Sequence, residues 1–98
     1  MNRRTAIEAI AGNADAIRSF GVRRLYLFGS TARNQARRDS DVDVFIDLKK
    51  GARFSLFDLM DLRDYLAKLL RAKVEVFSRD GLHRVIRPAV EREAIRVI

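Results

Sequence analysis

Two short groups of residues carry the chemistry this chain could do. Gly29-Ser30 ends the apolar run Leu25-Tyr26-Leu27-Phe28, ten residues follow, and Asp41 and Asp43 then open a second apolar run. Glycine and serine at a strand-to-helix turn let backbone N–H groups come close to a phosphate. Two carboxylates at i, i+2 on a strand point to the same face and can hold a divalent cation between them. The basic residues Arg33, Arg37 and Arg38 lie directly between the two groups. Together they point to chemistry on a metal-bound nucleoside triphosphate.

The surrounding pattern supplies the elements that must position these residues. Thr5 with Glu8 reads as a capping box, and Ile7, Ile10, Ala14 and Ile17 continue at helical spacing across Gly12 to a C-cap at Gly21. Residues 23–28 read as a strand, 31–36 as a short helix or turn, and 41–48 as a second strand. Ser55 with Asp58 caps an amphipathic helix that runs to Leu70, with Leu56, Leu59, Met60, Leu66 and Leu70 as its apolar face. Residues 73–77 form a third strand, and Pro88 suits the first turn of a last helix. The order αβαβαβα predicts an α/β (α+β) fold, a small sheet with helices packed mainly on one face.

Strand alternation places the carboxylates. Val42, Val44, Ile46 and Leu48 share one face of the second strand, and Asp41, Asp43, Phe45 and Asp47 the other. On the third strand Glu75 opposes Val74 and Val76. With helices on the valine face, Glu75 joins Asp41 and Asp43 on an open face as a third carboxylate.

Composition narrows the class. The 98 residues read as one domain, 1–98, and 48% hydrophobic content argues against disorder. There is no cysteine and one histidine, which excludes disulfides, thiolate metal sites and a histidine-rich zinc site. No apolar run reaches membrane-spanning length and no secretory leader is readable, so a cytoplasmic protein without membrane partners is expected. A net charge of +7 favours acidic partners, but the arginines are dispersed and no nucleic-acid-binding signature is present.

At these residues the chain resembles the DNA polymerase β-type nucleotidyltransferase superfamily, whose motif is Gly-Ser, a spacer, and Asp-x-Asp. It is similar in particular to the minimal nucleotidyltransferase (MNT) antitoxin proteins. Gly29-Ser30-Thr31-Ala32-Arg33, the short length, and the ending Ile86-Arg87-Pro88 with Glu91-Arg92-Glu93-Ala94-Ile95 carry that likeness over nearly the whole chain. The resemblance implies a prokaryotic enzyme that uses ATP and one or two Mg²⁺ ions. Gly29, Ser30 and Thr31 would bind the triphosphate through the turn, with Arg33 neutralising its charge. Asp41, Asp43 and Glu75 would be the catalytic and metal-binding carboxylates. The usual setting is a toxin–antitoxin pair in which AMP is transferred to a tyrosine of a HEPN-domain ribonuclease toxin. Larger relatives carry a further domain for base or acceptor, so a partner is expected to supply that surface. The family commonly has aspartate at the third position, where this chain has Glu75.

Plainer readings stand beside these. Arg33 reads equally as a salt-bridge partner or as a phosphate contact, Asp47 as a surface charge, and His83 as a loop residue without a role. Two other classes of function also fit the pattern: an antitoxin that neutralises its partner by contact alone, and a nucleic-acid-binding module.

Overall fold

The structure, a computed structural model, describes residues 1–37 and 40–98. Arg38 of the arginine cluster therefore lies outside the described residues.

The first helix, α1 (Arg3–Ala11), starts two residues before the expected cap. Asn2 is the N-cap, its side chain accepting the Thr5 N–H at 2.8 Å, and Glu8 pairs instead with Arg4 at 2.9 Å. Gly12 ends this helix, and α2 (Ala14–Arg18) begins anew. Two local effects add up there: glycine is a poor helix former, and the Asn13 side chain donates to the Ala9 carbonyl in place of its own backbone. The chain then turns at Gly21, whose φ is 101°, into β1 (Val22–Phe28).

Helix α3 (Gly29–Ala32) follows without a break, two residues earlier than the sequence suggests. Next come β2 (Val42–Leu48), α4 (Leu56–Leu70), β3 (Val74–Ser78), a 3₁₀ turn at Arg79–Gly81, α5 (Arg87–Glu93) and β4 (Ile95–Arg96). The capping box of α4 forms as read, with Ser55 N–H donating to Asp58 Oδ2 at 2.7 Å and Asp58 N–H to Ser55 Oγ at 3.3 Å. The sheet order is β3-β2-β1-β4. β2 and β3 are parallel, joined through α4, whereas β1 is antiparallel to both β2 and β4. Strand β4 is absent from the predicted order because two residues are too few to show alternation.

The valine face is the main core. Val42, Val44 and Ile46 pack there with Leu25, Leu27, Ile10, Ile17, Leu62 and Leu66, all at most 1% exposed. The buried stripe of α4 runs through Leu62, Leu66 and Leu70 with Leu59 beside it, while Leu56 and Met60 are exposed. One helical step turns the side chain by about 100°, which carries Met60 off the stripe that Leu59 begins.

The opposite face is less open than alternation alone implies. Register stacks its residues in rows across β1, β2 and β3: Phe28, Asp43 and Glu75; then Tyr26, Phe45 and Phe77; then Arg24 with Asp47. Leu82 and Val90 close over the aromatic row to make a second small core, leaving Phe45 1% exposed. The Tyr26 and Phe45 rings stack at 4.7 Å, and the Arg79 guanidinium lies 4.9 Å from each ring centre. Arg79 also donates to both oxygens of Asp47, at 2.8 and 3.0 Å, and to Glu91 of α5. Asp47 is thus an internal ion-pair partner rather than a surface charge. The row containing Asp43 and Glu75, at the end of the face, remains open to a cavity.

Candidate active site

Strand β1 ends at Phe28, directly opposite Asp43 in the antiparallel ladder, so the following turn is delivered onto that carboxylate. Gly29 has φ 75°, a conformation that strains any residue with a side chain. Its Cα also lies so close to Asp43 that an added β-carbon would stand 2.6 Å from Asp43 Oδ2. The sequence therefore needs glycine here for two reasons, backbone shape and close approach. Arg3 holds the far end of α3, its guanidinium donating to the Ala32 carbonyl at 3.3 Å.

On the other side of Asp43 stands Glu75, its partner in the parallel β2–β3 ladder. Asp41 precedes the first residue of β2 and is half-buried, as is Asp43. Burial, then the charge of Glu75, then that of Asp41 push the Asp43 carboxyl up to about 6, against a smaller opposing pull from Arg33. Crowded carboxylates of this kind are relieved by a bound cation. Among the described residues no three His, Cys, Asp or Glu side chains are close enough together to enclose one. An all-oxygen set of few carboxylates, completed by phosphate and water, is nevertheless what Mg²⁺ accepts. The donor set fits that ion.

The other expected site residues are placed as follows. Ser30 is half-buried in the turn, while Thr31 is 1% exposed with a hydroxyl that finds no partner among the described residues. The threonine side chain therefore faces the core, and only its backbone N–H is available to a ligand. Arg33 forms an ion pair, Nη1 to Glu93 Oε2 at 2.9 Å, and its Nε donates to Gln35 at 3.2 Å. It remains within electrostatic reach of Asp43.

Two residues were not singled out as functional by sequence. His83 lines a cavity of about 330 Å³ beside the carboxylates, together with Phe28, Asp43, Glu75, Phe77, Leu82 and Ile86. Its Nδ1 accepts the Val85 N–H at 3.2 Å. Glu93, at the end of α5, accepts the Gly29 N–H at 3.1 Å as well as pairing with Arg33. Sixty-four residues separate Glu93 from Gly29, so no local pattern could have revealed the contact.

Comparison with known proteins bears on this arrangement. Residues 13–97 match the family model described as "Nucleotidyltransferase domain". The chain is 37% identical over 78 residues to the protein adenylyltransferase MntA of Thermococcus cleftensis, covering 80% of this chain and 77% of that protein. A solved structure of a candidate minimal nucleotidyltransferase superposes with a TM-score of 0.73 at 34% identity, covering 97% of this chain and 95% of the other. The fold is also that of an MNT antitoxin in complex with a tri-AMPylated HEPN toxin from Shewanella oneidensis. That match has a TM-score of 0.67 at 16% identity and spans 94% of this chain and 71% of the other.

Proposed function

This chain belongs to the nucleotidyltransferase domain family, and from that premise we propose that it is a Mg²⁺-dependent protein adenylyltransferase. It transfers AMP from ATP to a tyrosine of a HEPN-domain toxin and thereby neutralises it in the cytoplasm. The observation that carries this reading is the close approach of the Gly29 turn to Asp43, with Glu75 paired on that carboxylate's other side. A backbone turn suited to phosphate and carboxylates suited to a metal thus meet at one point. The similarity to a named protein adenylyltransferase supports a protein acceptor, and the likeness to an MNT antitoxin bound to a HEPN toxin supports the partner.

In this reading the N–H groups of Ser30 and Thr31 and the Ser30 hydroxyl hold the β- and γ-phosphates. Asp41, Asp43 and Glu75 would hold Mg²⁺, which neutralises triphosphate charge and lowers the pKa of the attacking hydroxyl. The acceptor oxygen bonds to the α-phosphorus, the α–β bridging bond breaks, and pyrophosphate leaves. Glu75, exposed at the rim, takes the hydroxyl proton. Arg33 would offset the charge of the leaving group.

The test is incubation of the purified pair with ATP labelled at the α-phosphate and Mg²⁺. Label on the partner that disappears in the Asp41→Ala/Asp43→Ala variant is expected. Equal labelling by that variant would sink the proposal.

One observation favours a second reading, neutralisation by contact alone. Leu56 and Phe57 on α4 are 68% and 76% exposed, an apolar surface suited to a protein partner. Under that reading the double aspartate variant still protects cells from the toxin.

A further inference from the structure

Glu93 touches the two parts of the site that would meet a triphosphate, yet it is neither a metal-side carboxylate nor a phosphate donor. Its Oε1 accepts both the Gly29 N–H, at 3.1 Å, and Arg33 Nη1, at 3.2 Å, while Oε2 accepts Arg33 Nη1 at 2.9 Å. The carboxylate is itself well anchored. It ends α5, whose Val90 is buried in the aromatic core, and two residues later Ile95 pairs with Leu27 of β1. Gln35 holds the guanidinium from another edge through Nε, so among the described residues Arg33 Nη2 is left without a partner. The arrangement fixes the turn and aims one free edge of an arginine.

We propose that Glu93 is a positioning residue for nucleotide binding. By accepting the Gly29 N–H it locks the turn so that the Ser30 and Thr31 N–H groups face the triphosphate, and by clamping Nη1 it presents Arg33 Nη2 to the same anion. This rests on the nucleotidyltransferase reading of the site. The opposite possibility, that Glu93 merely repels a polyanion, makes a different forecast for neutral substitutions. Glu93→Gln keeps the accepting oxygen and removes the charge; Glu93→Ala removes both. A repelling carboxylate requires both variants to bind more tightly, whereas a positioning one requires them to diverge.

The experiment is calorimetric titration with the α,β-methylene analogue of ATP in Mg²⁺, with transfer kinetics alongside. Glu93→Gln is expected to bind at least as tightly as the wild type, and Glu93→Ala about tenfold more weakly, the loss of the accepting oxygen that holds the turn. KM for ATP should rise by the same factor in Glu93→Ala while kcat stays within about threefold. The effects of Glu93→Ala and Arg33→Ala should be less than multiplicative, since they share one contact. Glu93→Asp, too short to reach, should weaken binding as Ala does and serves where Ala fails to fold. Unweakened binding by both Ala and Asp, or equal weakening by Gln and Ala, overturns the proposal. If Glu93 governs binding but no acceptor protein is ever labelled, the transferase reading fails while the positioning role stands. A wild type that does not bind the analogue overturns both.

Discussion

Gly29 turns its Cα onto the carboxylate of Asp43, leaving no room for a side chain: a β-carbon there would sit 2.6 Å from Oδ2. One backbone position therefore sets both the path of the turn proposed to hold phosphate and where the proposed metal-binding oxygen can point. Gly29→Ala combines a clash with a left-handed φ and should cost about 1–3 kcal/mol of stability. It should also displace Asp43. Urea unfolding would measure the first effect, and a fall in AMP transfer larger than the fraction unfolded explains would reveal the second.

Asp43 should limit the stability of the metal-free protein. Its carboxyl is raised from an ordinary 3.8 to about 6. Below 3.8 both folded and unfolded chains hold the proton, so there is no penalty. Between 3.8 and 6 the unfolded chain releases it while the native state keeps it, so this contribution to stability falls as pH rises and is fully lost above 6. After allowance for partial exposure, Asp43→Asn should stabilise the metal-free protein at pH 7 by about 1 kcal/mol. The same change should abolish transfer. Melting curves at pH 4 and pH 7 test the sign, because the gain should vanish at the lower pH.

Thr31 is buried with a hydroxyl that has no partner among the described residues, in a site where only its N–H is proposed to meet the ligand. Thr31→Val keeps the shape and removes the stranded polar atom. It should raise stability by about 1 kcal/mol with ATP affinity unchanged within about twofold. A loss of affinity would show that the hydroxyl, not the backbone, meets the nucleotide.

Arg79→Ala should be among the more damaging changes outside the site, costing about 2–4 kcal/mol in urea unfolding. It strips Asp47 of two hydrogen bonds, Glu91 of one of its two arginine partners and the Tyr26 and Phe45 rings of their cation. The Arg79 hydrogen bond holds the Asp47 carboxyl below its usual 3.8. Its stabilisation is present above that pH and disappears as pH falls through the lowered value. The gap in stability between variant and wild type should therefore narrow in strong acid to what the ring contacts contribute.

Much of the site was legible because its determinants are local. The Gly-Ser turn, the i, i+2 aspartates and the parity of Glu75 are properties of spacing, and register then places Asp43 between Phe28 and Glu75. What escaped depends on distant partners or on competition between small local terms. Periodicity carried the first helix across Gly12, where the Asn13 side chain tips the balance against it. Arg33 could not be assigned from sequence because its partner, Glu93, lies sixty residues away. Asp47 looked like a surface charge until α5 and the 3₁₀ turn brought Arg79 over it.

The layered rows across the sheet face have an electrostatic consequence. Asp43 and Asp47 are four residues apart on one strand, about 13 Å, with the buried Phe45 between them. Salt screens little through a buried aromatic row, but the far charge is already neutralised by arginine. In the proposed reaction charge comes and goes at one end of the face, while the ion pair at the other end, distant and already closed, responds weakly. The aromatic layer holds apart the end of the face where charge is proposed to change and the end where an ion pair is already closed.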